Sequence, residues 1–255
     1  MLRGCFAVIS LILYSLGAGC ADAGVGGPQQ QTAAGSGGAP ISEAPPPSDD
    51  PCERGALTVA PDRVTDVVDH INTLPRPLSL ACVLTSLPRP LALNATRSIL
   101  SAQPAVGQRS PRVFVLYDKL ILSVALDGIG QHLLEFGELR PEARTLKAEI
   151  EFPVTTEVTH AAPFERVMFQ EGQTSCAFCH AAETRDESID FTDAFVSVAY
   201  RPTERQAQVT IAEMAAQLEL CDPGAEPERC AMLESLFARG MPIEQDFPAN
   251  FITFQ

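Results

Sequence analysis

Tryptophan is absent from the 255 residues, and lysine is nearly so: Lys119 and Lys147 stand against sixteen arginines. No two basic residues are adjacent, and 18 Lys and Arg face 32 Asp and Glu, for a net charge of −14. A protein that holds nucleic acid through phosphate contacts needs clustered cations, so that class is excluded. No apolar stretch reaches the roughly 18 residues of a membrane-spanning helix. Walker and dinucleotide glycine patterns are missing, and the histidines at 70, 132, 160 and 180 accompany no nucleophile signature. What the chain does have is 45% apolar residues, enough for a packed core.

The first residues read as an export signal. Arg3 supplies a positive end, and Phe6 to Ala18 form an apolar stretch too short to span a bilayer. The stretch ends in Leu16-Gly17-Ala18-Gly19-Cys20, which resembles the bacterial lipobox, with Gly17 where that family usually has leucine. The resemblance implies cleavage after residue 19 and lipidation of Cys20. With Ala21 rather than aspartate next, it also implies an outer-membrane anchor facing the periplasm. An ordinary cut near Ala18 is the alternative. Residues 20–51 then form a tether rich in Gly, Gln and Pro, ending near Pro45-Pro46-Pro47, with too little apolar surface to fold. The remaining 52–255 keep 17 basic and 28 acidic residues, and are long enough for one large or two small domains.

Six cysteines fall in this part: Cys52, Cys82, Cys176, Cys179, Cys221 and Cys230. In an oxidising compartment an even number suggests disulfides. With Cys176 and Cys179 reserved for other chemistry, the local solution is Cys52–Cys82 and Cys221–Cys230.

Residues 62–74 carry Val64, Val67, Val68 and Ile71 at helical spacing, with Asp62 at the start. Leu74-Pro75-Arg76-Pro77-Leu78 recurs as Leu87-Pro88-Arg89-Pro90-Leu91, two extended entries into strands. Strands are expected at 112–117 and 120–126 around Asp118-Lys119, closed by Asp127-Gly128, then at 133–136 and 195–200. In 145–152, Leu146, Ala148, Ile150 and Phe152 share one face and Lys147, Glu149 and Glu151 the other, the pattern of a half-exposed strand. Helices are expected at 203–221 from a Thr203 cap, and at 227–239 ending at Gly240. The fold class is α+β. An antiparallel β-rich body spans 52–160, and 161–255 holds a C-x-x-C-H segment and a C-terminal helical pair, in one domain or two.

That segment, Cys176-Ala177-Phe178-Cys179-His180, carries the chemistry. Two cysteines one turn apart can form thioethers with the two vinyl groups of a haem, and the next histidine can ligate the iron. Two other readings stay open: a Cys176–Cys179 disulfide, or a zinc site completed by His180 and His160. The pentapeptide, with Gly240-Met241-Pro242 after it, resembles c-type cytochromes. The resemblance implies one covalent haem c on Cys176 and Cys179, His180 as proximal ligand and Met241 as distal ligand. His160, Met168 and Met214 are substitutes for the last, and a vacant sixth position is a further possibility. Small cytochromes c also have a helix before the motif and another after the methionine. Here 163–174 is marginal for the first, and Pro242 and Pro248 argue against the second. Phe247, Phe251 and Phe254 instead suggest an extended tail lining something apolar.

Glu183, Asp186, Glu187, Asp190 and Asp193 follow the motif, either as a solvated loop or as a cation or redox-partner face. The resulting expectation is an exported lipoprotein, bound to the membrane through its N-terminal lipid, that carries electrons to or from a redox partner rather than acting as an enzyme. Two alternatives stand: a disulfide-stabilised β-rich lipoprotein with a binding or structural role and no cofactor, and an enzyme with an open haem.

Overall fold

Short strand-forming runs, continuous and apolar at the centre and alternating apolar with polar toward β4 and β5, are broken by turns into a meander of five antiparallel strands: β1 (Ala92–Thr96), β2 (Arg112–Leu116), β3 (Leu120–Ala125), β4 (Leu133–Arg140) and β5 (Arg144–Glu151). The structure, a computed structural model, describes residues 48–98, 107–202 and 205–253. The expected signal peptide, the expected lipidation site Cys20, the expected tether as far as Pro47, the expected Thr203 cap and Phe254 lie outside the described residues. After the meander, β6 (Met168–Gln170) and β7 (Gln173–Thr174) form a separate hairpin, and β8 (Thr184–Arg185) and β9 (Phe195–Val198) extend the sheet past β5. A short strand, β10 (Tyr200–Arg201), pairs with β12 (Ile252–Thr253), while β11 (Ile243–Glu244) lies parallel to β1. The large sheet runs β11-β1-β2-β3-β4-β5-β9-β8. The fold is therefore mixed α and β, with antiparallel pairing dominant, and residues from both sides of position 160 build one sheet within one compact unit.

Six helices accompany the strands among the described residues: α1 (Pro51–Arg54), α2 (Val64–Thr73), α3 (Leu80–Ser86), α4 (Ala162–Arg166), α5 (Ile211–Glu219) and α6 (Pro227–Phe237). None is long and apolar enough to cross a membrane. The α2 start is fixed by Asp66, whose carboxylate accepts the N–H groups of Asp62 and Arg63 at 3.0 and 2.9 Å, so Asp62 is not the cap. The C-terminal helical pair is present, but α5 begins at Ile211, where Thr210 and Glu213 form a reciprocal cap, and not after Thr203. The first proline repeat leads into α3 rather than a strand, because Ser79 follows it and its Oγ accepts the Cys82 N–H. The second repeat leads into β1 as expected.

The two faces of the sheet are covered differently. On one face Val113, Val115, Leu122, Val124, Leu134 and Leu146 pack against α2, α3 and α6 in the larger core. On the other, Leu116 and Ile121 meet Ala199, Phe247 and Phe251 in a smaller cluster. The disulfides are Cys52–Cys82, tying α1 to α3, and Cys221–Cys230, tying the end of α5 to α6.

Candidate functional site

The smaller face does not pack shut. Between it and the chain that crosses it lies a half-open cavity of about 500 Å³, within the size range of small-molecule and cofactor sites. Its floor is the sheet: Phe114 from β2, Ile121 and Ser123 from β3, Gly137 from β4, and Thr145 and Lys147 from β5. Gly137 pairs directly with Lys147, and its missing side chain leaves the floor low there. Phe247 and Phe251 form an aromatic wall, with Phe247 edge-on to Phe114 at a centroid distance of 4.9 Å. These are two of the three tail phenylalanines expected to line something apolar.

Cys176, Cys179 and His180 form the remaining wall. The local chain holds them in one tight turn. Thr174 caps it, its Oγ1 accepting the Cys176 N–H at 3.1 Å, while the Glu183 carboxylate accepts the Thr174 N–H at 2.8 Å. The N–H groups of Cys179 and His180 both donate to the Cys176 carbonyl, at 3.1 and 2.9 Å. No amphipathic helix precedes the turn; α4 and the β6–β7 hairpin do. Cys176 and Cys179 are the two cysteines without a disulfide among the described residues. Cys179 is exposed and Cys176 half-buried; burial raises the Cys176 thiol pKa, with the nearby Lys147 pulling the other way.

The His180 ring is neutral, with its tautomer fixed by the backbone. Its Nδ1 lies 2.8 Å from the Val198 carbonyl, and since a carbonyl only accepts, Nδ1 carries the hydrogen and Nε2 keeps its lone pair. Lys147 Nζ is 3.4 Å from the same Nδ1. Burial first, and the Lys147 cation second, lower the imidazole to about 4. The ring also lies 5.4 Å from that of Tyr200.

Lys147 corrects the half-exposed reading of β5. Glu151 is exposed, but Lys147 is only 8% exposed, because the C-x-x-C-H turn covers the face that alternation alone assigns to solvent. Burial lowers its pKa to about 8. Its Nζ donates to Thr145 Oγ1 at 2.6 Å. The cavity's two carboxylates are engaged elsewhere: Glu135 with Arg112, and Glu149 with Arg166 at 2.8 Å. Arg112, Glu135, Lys147 and Tyr200 are cavity residues that no sequence signal marks, since their burial depends on what crosses the sheet.

The other candidates lie elsewhere. Met241 is 63% exposed and does not line the cavity. It stands two residues before β11, at the opposite end of the strand order from β9 and β8. His160 Nε2 is 2.7 Å from Asp69, away from the cysteines. The acidic residues after the motif are spent separately: Asp186 on Arg140 and Ser188, Glu187 and Asp193 both on Arg185. Among the described residues no three His, Cys, Asp or Glu side chains converge to hold a metal ion. Compared with known proteins, the chain matches no family model, no curated protein and no solved structure.

Proposed function

We propose that this chain is an exported, lipid-anchored protein that binds one covalent haem c in the cavity and handles single electrons. The observation that carries the reading is that Cys176, Cys179 and a neutral His180, whose Nε2 has no hydrogen-bond partner among the described residues, all line one side of the same cavity. Such a wall suits a flat macrocycle joined at one edge. Cys176 and Cys179 would hold the group through thioethers, each formed by adding an S–H across a vinyl without an oxidant, and His180 Nε2 would hold its iron. Haem c supplies one-electron iron chemistry, tuned by its axial ligands and burial. The protein's part is to orient the imidazole through Val198, to exclude water with Phe114, Phe247 and Phe251, and to keep the motif's turn at the surface, where Phe178 is 66% exposed. Export agrees with the two disulfides, which persist in oxidising compartments.

The test is a pyridine haemochrome spectrum after acid-acetone extraction, on protein exported by cells equipped for haem c maturation. A haem c α-band that survives extraction is the expected result. Its absence from folded protein sinks the proposal and favours the disulfide-stabilised β-rich lipoprotein without cofactor.

A further inference from the structure

Lys147 is one of only two lysines in the chain, and it lies on the sheet beneath the turn that carries the motif. Its Nζ is pinned there, donating to Thr145 Oγ1 at 2.6 Å, and is 3.4 Å from His180 Nδ1. Nδ1 is the ring nitrogen that gives its hydrogen to the Val198 carbonyl at 2.8 Å. Lys147 therefore stands behind the imidazole, on the side away from the nitrogen that the haem reading assigns to iron. It is a neighbour of the proximal ligand and not itself a ligand.

Several charges meet around this pair. Burial disfavours the Lys147 ammonium, while Cys176, Glu135 and Glu183 favour it, and the balance, a pKa of about 8, leaves it a cation at neutral pH. Both carboxylates are also engaged by other groups: Glu135 pairs with Arg112, and Glu183 holds Thr174. At His180 the balance differs. Burial, then the Lys147 cation, weigh against positive charge on the ring; the Val198 carbonyl favours it, and the Arg112 cation adds to Lys147. The carboxylates thus keep Lys147 charged without cancelling its effect on the imidazole. A carbonyl on the outer nitrogen makes a histidine the stronger electron donor, which favours ferric iron. A cation at the same nitrogen acts the other way and favours the ferrous state, whose charge is lower by one. The cavity is half open, but Lys147 is on its covered floor and 8% exposed, so water screens this contact little.

Resting on the haem reading above, we infer that Lys147 is a positioning residue for the proximal imidazole: its charge, set against Nδ1, opposes the Val198 carbonyl and raises the potential at which the haem takes up an electron. Val198 and Lys147 together then set the electron affinity of the site from behind the ligand, whatever group completes the coordination on the other face. The chain is thereby biased toward accepting an electron.

The experiment is a spectroelectrochemical titration of the matured, haem-loaded chain at neutral pH, followed at the haem α-band. Lys147→Gln and Lys147→Leu are each expected to make reduction about tenfold less favourable, a fall of about 59 mV for one electron. Lys147→Arg, which keeps the charge, is expected to stay near the wild-type potential. Thr145→Val, nearly the same shape, leaves Lys147 in the chain but frees its Nζ, and is expected to give a smaller fall in the same direction. An unchanged or raised potential in the two neutral variants overturns the inference. So does an equal fall in Lys147→Arg, which would mark lost packing rather than lost charge. Where the neutral variants do not load haem, an unchanged potential in Thr145→Val overturns it. Each of these outcomes leaves the wild-type haem in place, whereas a wild-type chain that matures without haem overturns the haem reading itself.

Discussion

The imidazole of His180 is held by the backbone of Val198, 18 residues away in sequence, through a 2.8 Å Nδ1–H···O bond. The carbonyl belongs to β9, which is paired with β5, the strand that carries Lys147. The orientation of the ring therefore depends on the sheet and not on the turn that contains it. A side chain held by secondary structure is placed more firmly than one held by a surface loop.

The two motif cysteines should differ in reactivity before any haem is attached. Cys179 is exposed, while Cys176 is half-buried with its thiol pushed up by burial. Reduced, haem-free protein treated with iodoacetamide is expected to be alkylated at Cys179 roughly tenfold faster than at Cys176, read by peptide mass spectrometry. Equal rates would show that the turn opens freely.

The two disulfides should not be worth the same. The closed loops span 30 residues for Cys52–Cys82 and 9 for Cys221–Cys230. Loop-closure entropy gives about 3.5 and 2.5 kcal/mol respectively. Paired Cys→Ala replacements, compared by urea denaturation, are expected to show the larger loss for Cys52–Cys82. The reverse order would mean that native-state packing, not chain entropy, sets their contribution.

Acid stability should report His70. Its Nε2–H donates to Ser86 Oγ, whose own hydrogen goes to the Val83 carbonyl, and burial lowers its pKa. In the folded state the neutral ring is favoured, so the unfolded chain binds more protons below the ordinary histidine pKa near 6.5. Stability is complete above that pH and falls as pH drops toward the folded-state pKa. The slope from this residue cannot exceed about 1.4 kcal/mol per pH unit. His70→Gln is expected to flatten the loss between pH 6.5 and 5 in thermal melts; an unchanged slope would remove His70 as its source.

Arg140 joins two parts of the chain. It pairs with Glu138 and Asp186, each at 2.7 Å, and Glu138, itself buried, accepts the Val64 N–H at the start of α2. Arg140→Met is expected to cost about 3 kcal/mol, because the buried Glu138 charge loses its partner. Adding Glu138→Gln should recover part of that loss. If it adds a second full cost instead, the pair is not coupled as described.

Much of the sheet is legible in the sequence. The strands at 112–117 and 120–126 stand out as short apolar runs bounded by turns, and 145–152 stands out because it alternates. Both local disulfides are legible for a similar reason, since short spacing limits the choice. The α3 helix is not, because seven mostly apolar residues suit helix or strand equally, and a single Ser79 cap decides between them. The C-x-x-C-H turn is legible as a motif, but its cavity is not. Lys147 reads as a surface residue because alternation assigns faces without saying what covers them. Met241 shows the converse. A local Gly-Met-Pro match carries no information about tertiary position, and the fold leaves Met241 exposed and outside the cavity that His180 lines.

The two faces of the sheet also differ in when they can be finished. The larger core draws on residues from Val64 to Leu236, whereas the cavity gains its aromatic wall only from Phe247 and Phe251. A chain made from its N-terminus thus has the helix-covered side available before the cavity side is walled. During that interval Cys176, Cys179 and the β5 floor face an unroofed groove.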